Sequence, residues 1–380
     1  MIINNYYKLM RRGRRHDVLL EEKIMDINNL LDTENFVETN IIESFDCRFM
    51  GTINTFEYNV NGIIGKKAIV NKGIGGANIL PIDSENNILL ETQYRFPLRR
   101  LLLETPAGRT EEGEAFDDCA IRELREETGC VSKKIDWMNV FYADPNFTNE
   151  QIGNFIANDI KKVGEQVLDT DENVNVYKVS LEVAKELIRR NIICEERTVI
   201  SIAQAILINK MSLKEDSEID KKVEEIIAIM GKDEEKLKET ETGVSYTYDC
   251  EFGNVTDYHI VTSNNQIAKR ECMHLKPINI VVPVSRDNKI GVTVKYMLAM
   301  DDNSIELPYT ENIEGLEELG GFYTSVGYAN SFCNIFVLRN QDETEEYIWL
   351  SREQILDLIR QNKVKNGVVI GALLKYLLFN

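Results

Sequence analysis

Two periods run through the apolar positions of the chain. Asn78-Ile79-Leu80-Pro81-Ile82 and Ile88-Leu89-Leu90 are short apolar runs flanking polar Asp83–Asn87, which predicts two strands joined by a turn. Leu181 to Arg190 and Thr198 to Lys210 repeat apolar residues every three or four positions and read as helices. Residues 17–44 are acidic, with Ile24, Ile27, Leu30 and Leu31 at helical spacing, and also predict a helix. Residues 214–241 hold eleven acids and six lysines, with Ile219, Val223, Ile226, Ile227 and Met230 on one helical face. That pattern predicts a charged connecting helix running into a solvated linker. Gly367 to Phe379 is interrupted by Lys375 and Tyr376 and is shorter than the roughly 18 residues of a membrane span, so it reads as an amphipathic core helix.

The same pattern occurs twice. Phe45-Asp46-Cys47-Arg48-Phe49 is echoed by Tyr248-Asp249-Cys250-Glu251-Phe252, and Pro81-Ile82-Asp83 to Ile88 by Pro283-Val284-Ser285 to Ile290. Tyr94 falls on Tyr296 in that register, and Arg95 on Met297. Ser180-Leu181-Glu182 with Leu187 to Asn191 is echoed by Ser351-Arg352-Glu353 with Leu358 to Asn362. Three matches in one order predict a tandem duplication. Pro81 to Ser180 spans 99 positions and Pro283 to Ser351 spans 68, so the second copy lacks 31. The division that follows is an extension (1–44), a first copy (45–213), the charged linker (214–242) and a second copy (243–380).

Composition narrows the possibilities. A chain of 380 residues suggests about two or three domains, and 43% hydrophobic residues suffice for real cores. The net charge of −19 argues against a general nucleic-acid binder, because phosphate backbones attract cations. It fits a soluble protein or one that gathers divalent cations. Seven cysteines without a C-x-x-C pair point to reduced thiols in a cytoplasmic setting. Residues 1–16 carry Lys8 and four arginines without an acid, and read as a solvated terminus in preference to a targeting or anion-binding arm. They do not form a secretory signal.

What the shorter copy lacks is the chemically loaded part of the first. Residues 104–127 hold nine acids and three arginines. Ala115 to Thr128 predicts a helix of good formers stopped by Gly129. Glu123, Glu126 and Glu127 then project from one face within about a turn. Like charges there destabilise a bare helix, and a divalent cation such as magnesium relieves them while holding substrate phosphates. Arg122 is placed to brace one carboxylate by bidentate hydrogen bonds. Gly108 allows a close backbone turn that leaves the Ala107 carbonyl as a further oxygen ligand. Charge pattern alone equally describes a solvated acidic face.

The spacing decides between them. Gly108-x5-Glu114-x7-Arg122-Glu123-Leu124-x-Glu126-Glu127-x-Gly129 resembles the Nudix hydrolase box at each of its fixed positions. Cys130 stands where that family has a larger aliphatic residue. The resemblance implies an α/β fold, here as tandem Nudix-type α/β/α sandwiches with mixed sheets. It also implies hydrolysis of a nucleoside diphosphate linked to another group, dependent on Mg²⁺ or Mn²⁺. The implied metal ligands are Ala107, Glu123, Glu126, Glu127 and Glu172, and Arg122, Glu126 and Glu127 are the implied catalytic centre.

The flanks resemble the ADP-ribose pyrophosphatase branch. Gln93-Tyr94-Arg95 matches its Q-Y-R strand, and Glu104-Thr105-Pro106-Ala107-Gly108 its E-x-P-A-G lead into the box. Pro145 lies 16 residues beyond Gly129, within Asp144-Pro145-Asn146 where the family has S-P-G, and Asn146 tolerates a left-handed turn. Arg95, Gly108 and Pro145 are the implied substrate contacts, Arg95 because a guanidinium suits phosphate. A late acidic loop, Asp169-Thr170-Asp171-Glu172, matches the branch at Glu172, but the position two earlier, often the proton acceptor, is Thr170. Glu150, Asp171 and Glu172 remain the candidates for that role. The second copy has no box and is expected to be silent. The resembled enzymes are homodimers with shared active sites, so the second copy reads as a built-in partner in an intramolecular pseudo-dimer, with a further homodimer also open. The competing readings are a pyrophosphatase for UDP- or GDP-sugars or dinucleotides, and a non-catalytic sensor of such metabolites.

Overall fold

The computed structural model describes residues 27–170 and 172–380. The arginine-rich start, Ile24 and Asp171 lie outside them. The chain opens on a helical turn at 27–31, and its Ile27 is buried. An antiparallel sheet follows, made of β1 (Val37–Asp46), β2 (Thr52–Val60) and β3 (Ile63–Asn71). The helix expected over 17–44 therefore yields to a strand, and the expected boundary at 44/45 falls inside β1. β1 is an exposed edge strand, paired with β2 from Val37↔Val60 to Asp46↔Thr52, and long-range pairing overrides its local pattern.

The first half continues with β4 (Gly76–Pro81), β5 (Asn87–Arg95), β6 (Arg100–Glu104), β7 (Ala107–Arg109), α1 (Phe116–Thr128), β8 (Cys130–Val131) and β9 (Lys134–Tyr142). It closes with β10 (Gln151–Asn158), β11 (Lys161–Lys162), β12 (Val174–Ser180), α2 (Leu181–Arg189) and α3 (Glu196–Leu207). The central sheet has the order β7-β4-β10-β9, with β4 and β10 parallel and the other pairs antiparallel. Alternation along β4 assigns its two faces. Ala77 and Ile79 pack with Cys119, Ala120 and Leu124 of α1. Leu80 joins the main core, and Asn78 donates to Ser201 Oγ of α3 at 2.7 Å. Helices cover both faces, as the expected sandwich requires.

The acidic stretch is not a solvated tether. α4 (Ile219–Leu237) buries Val223 in the main core and Leu237 against Tyr94, Phe96 and Ile260. Its Asp233, 4% exposed, accepts hydrogen bonds from Thr92 Oγ1 at 2.7 Å and Tyr177 OH at 2.6 Å.

The second half repeats the element order. A three-stranded sheet comprises β13 (Thr240–Cys250), β14 (Gly253–Val261) and β15 (Ile267–Leu275). The linker boundary at 242/243 thus falls inside β13. Then come β16 (Ile278–Ser285), β17 (Ile290–Met297), β18 (Asp302–Glu306), β19 (Glu317–Tyr323), β20 (Phe332–Gln341), β21 (Ile348–Leu350), α5 (Arg352–Arg360) and α6 (Gly367–Phe379). As with β4 and β10, β16 pairs with β20 in parallel. The Ser180 and Ser351 echo is a pair of helix caps, each hydroxyl accepting the backbone N–H three residues on. α6 is buried on all sides, Lys375 included, and is not amphipathic. No helix among the described residues is long and apolar enough to cross a membrane.

One hydrophobic core runs through both halves, with α3 packed on α6 at its centre. Polar contacts across the junction come in reciprocal pairs. Tyr142 N–H donates to the Lys365 carbonyl and Tyr323 N–H to the Cys194 carbonyl, each at 2.8 Å. Val140 N–H donates to Asn362 Oδ1 at 3.1 Å, and Gly321 N–H to Asn191 Oδ1 at 3.0 Å. Both asparagines are left-handed, φ 58° and 56°. Echoed Phe45 and Tyr248 stack on each other, ring centroids 3.9 Å apart. Such self-complementary contacts are what a two-fold relation produces.

These equivalences place the missing residues. Glu104 to Tyr142 spans 38 positions and Glu306 to Tyr323 spans 17, a deficit of 21 where β7, α1 and β8 would lie. Tyr142 to Ser180 spans 38 and Tyr323 to Ser351 spans 28, a deficit of 10 around the late acidic loop. The second half lacks counterparts of both carboxylate-bearing segments and has the same order of scaffold elements. The packing of α4 yields a test. Asp233→Ala strands the buried Thr92 hydroxyl and the half-buried Tyr177 hydroxyl, and urea unfolding should show a loss of about 1–3 kcal/mol, whereas a solvated tether would show none.

Candidate active site at the junction of the two halves

α1 is aimed by its ends. Gly129 closes it in a left-handed conformation, φ 67°, which a residue with a Cβ adopts only with strain. Cys130 fits as a small buried hydrophobe beside Leu124 and Phe155. Gly108 is a strand residue in β7, not a turn, and its role is close approach: a Cβ there would lie 1.7 Å from Glu123 Oε1.

Arg122 braces three carboxylates. Its guanidinium donates to both oxygens of Glu114 at 2.9 and 3.0 Å, to Glu123 at 2.6 Å and to Glu126 at 3.0 Å. That contact holds Glu114 down at about 2. Glu127 faces the other way and accepts the Ala107 N–H at 2.9 Å. Burial pushes Glu123 up to about 7, and burial together with Glu91 raises Glu127 well above the carboxylate range. Glu91, on β5, is raised to about 8 by burial and then by Glu104, and its Oε2 is buried without a hydrogen-bond partner. Glu172 adds to the repulsion on Glu91, Glu123 and Glu127.

Several clustered carboxylates and an orphaned buried oxygen make a hard-oxygen donor set, which fits a divalent cation. Among the described residues, no three acidic, histidine or cysteine side chains yet converge as a finished cage. Arg122 holds Glu123 through Oε1 and Glu126 through Oε2.

The cluster opens into a cavity of about 640 Å³ with walls from both halves. Gly108, Arg109, Glu123, Glu150 and Glu172 come from the first half, and Ser263, Lys269, Arg270 and Ser325 to Tyr328 from the second. Arg95 reaches the wall but is engaged by Glu104 through two hydrogen bonds, 2.9 and 2.6 Å. Pro145 is not among the lining residues. Its loop points into the second half, where Asn146 bonds the Tyr309 hydroxyl at 3.1 Å, and Asn146 is not left-handed. The loop that enters the cavity is its counterpart, Ser325-Val326-Gly327, closed in the same way by backbone bonds to the Ser325 carbonyl.

Sequence reasoning missed this exchange, and it missed Glu91 and Lys72. Counting from Tyr323 as the partner of Tyr142 would have found the loop. Lys72 is 8% exposed, lies over the Tyr328 ring at 4.2 Å and has no carboxylate at ion-pair distance among the described residues. Burial lowers its pKa, and Glu150 opposes that. The hairpin of β14 and β15 also fixes the late acidic loop: Asn173 donates to Ser263 Oγ at 2.8 Å, and Asn264 to the Thr170 carbonyl at 3.1 Å.

The NUDIX domain family matches residues 74–192. An ADP-ribose pyrophosphatase of Bacillus subtilis is 38% identical over 41% of this chain and 80% of its own. A methanol dehydrogenase activator of Bacillus methanolicus is 36% identical over 37% of this chain and 77% of its own. A crystal structure of an ADP compounds hydrolase aligns over 48% of this chain and 98% of that one, at 17% identity and a TM-score of 0.41. With the box folded against Gly108 and four fifths of the Bacillus subtilis enzyme matched, the chain belongs to the Nudix family and is a Nudix hydrolase.

Proposed function

We propose that this hydrolase cleaves the diphosphate bond of ADP-ribose or a similar nucleoside diphosphate sugar, giving a nucleoside monophosphate and a sugar phosphate. The carrying observation is the cavity's charge arrangement. Carboxylates Glu91, Glu123, Glu127 and Glu172 crowd one another, and Lys72 and Arg109, which have no ion-pair partner among the described residues, line the same cavity as Glu123 and Glu172. A diphosphate suits the two cations. The carboxylates suit Mg²⁺ or Mn²⁺, with Glu123, Glu126, Glu127 and Glu172 and the Ala107 carbonyl as the residues to hold it. Bound there, the metal neutralises the phosphates and makes water a stronger nucleophile. Arg122 keeps the box carboxylates in place until then. Ser325 to Tyr328 and the β14–β15 hairpin close the cavity over the substrate and exclude water.

The reciprocal junction supports reading the two halves as a tandem duplication that forms an intramolecular pseudo-dimer. The second copy supplies a wall without chemistry of its own. The seven cysteines are free, which supports a cytoplasmic setting.

Two measurements test this. Phosphomonoester release from ADP-ribose with Mg²⁺, against a panel of UDP- and GDP-sugars and dinucleotides, should show turnover. In the Glu126→Gln/Glu127→Gln double variant kcat should fall about a thousandfold, a loss of roughly 4 kcal/mol, with the fold retained. An undiminished rate contradicts the proposed metal site, and an inert panel supports the sensor.

The second measurement is stability against pH. Glu123 and Glu91 sit at about 7 and 8, against 4.5 for a free glutamate. Between these values the folded state binds more protons than the unfolded one, so metal-free stability should fall as pH rises from about 5 to 8. Added Mg²⁺ should flatten that slope. An unchanged slope would remove the carboxylate cluster as the ion's site.

A further inference from the structure

Water attack on a diphosphate needs a proton acceptor, and of the candidates Glu150, Asp171 and Glu172 the second lies outside the described residues. Glu172 belongs to the carboxylate cluster, since it raises Glu91, Glu123 and Glu127. Glu150 stands apart from that cluster. It is 8% exposed, lines the same cavity and accepts a hydrogen bond at Oε2 from the Tyr328 hydroxyl at 2.9 Å. Its Oε1 has no hydrogen-bond partner among the described residues. The Tyr328 ring supports Lys72, and its hydroxyl also reaches Thr148 Oγ1 at 3.4 Å.

The two-fold relation supplies a control within the chain. Ala143 N–H donates to the Glu150 carbonyl and Thr324 N–H to the Ser331 carbonyl, each at 3.0 Å, so Ser331 is the counterpart of Glu150. The same register puts Phe147 opposite Tyr328. The boxless half has therefore lost the carboxylate, and the loop reaching into it carries no hydroxyl. The pair exists only where the box does.

On the hydrolase reading above, we infer that Glu150 accepts the proton of the attacking water and that Tyr328, from the silent half, is the positioning residue that holds it. The water oxygen bonds to one phosphorus, the bridging P–O bond breaks with its electron pair on the departing phosphate, and the water proton passes to the Glu150 carboxylate. Lys72 after β3, and Glu196 and Arg197 of α3, are charged groups that interact with Glu150, and Arg109 of β7 and Glu271 of β15 act on Lys72.

Steady-state kinetics on this chain with Mg²⁺ and ADP-ribose test this, using Tyr328→Phe, Tyr328→Ala, Glu150→Gln and the Tyr328→Phe/Glu150→Gln double variant. Glu150→Gln should lower kcat about a hundredfold or more. Tyr328→Phe keeps the ring and loses the hydroxyl, so kcat should fall about tenfold while KM and Tm stay near wild type. The double variant should be no slower than Glu150→Gln alone, because the hydroxyl acts through the carboxylate. Tyr328→Ala should also raise KM, since Lys72 loses its support. Wild-type kcat in Tyr328→Phe, or a Tyr328→Phe effect that multiplies onto Glu150→Gln, overturns the positioning role. Wild-type kcat in Glu150→Gln overturns the proton acceptor. An inert wild type overturns the hydrolase reading itself, so the two failures are distinguishable.

Discussion

Asn191 and Asn362 each end a helix in the left-handed conformation, and each side-chain carbonyl accepts a backbone N–H from the opposite half. Around them the Tyr142 and Tyr323 amides reach the opposite chain segments at the same length. These contacts carry modest energy singly, about 1 kcal/mol each. Their weight is geometric, because they fix the register in which α3 packs on α6 and two half-cores become one. The cavity depends on that register. It is lined by residues of the box, by the β14–β15 turn, by β15 and by the 325–328 segment.

The electrostatics follow from the same placement. Roofing the carboxylates removes water from them, and burial is the first cause of the raised pKa of Glu91, Glu123 and Glu127. Arg122 compensates Glu114, Glu123 and Glu126 but leaves the inner oxygens uncompensated. A site built this way is under electrostatic stress until a cation enters, which is a reason for affinity. The second half has no box, and its buried Glu306, raised to about 7 by burial, is hydrogen-bonded by Asn366.

The box and its helix were legible in the sequence because their constraints are local. Spacing places Glu123, Glu126 and Glu127 on one face, and Gly129 ends the helix where expected. The repeat was legible from three echoes, of which Ser180 and Ser351 are caps. What depends on tertiary contact was not legible. β1 reads as a helix because its pairing with β2 is invisible in local periodicity. α4 reads as a tether because its acidity hides Asp233, whose buried partners lie far along the chain. Arg95 reads as a phosphate ligand because Glu104, nine residues on, is its partner only once β5 and β6 pair. Pro145 reads as a substrate contact because sequence does not show that the two copies exchange this loop.

The cavity joins a half that carries the box to a half that does not. A crystal structure with Mg²⁺ and a methylene-bridged analogue of ADP-ribose would show whether both halves hold the substrate. The diphosphate should lie between the box carboxylates and Lys72, with Ser325 to Tyr328 or the β14–β15 hairpin within about 4 Å of the ligand. A ligand bound by the first half alone, with no atom of residues 239–380 in contact, would contradict this expectation.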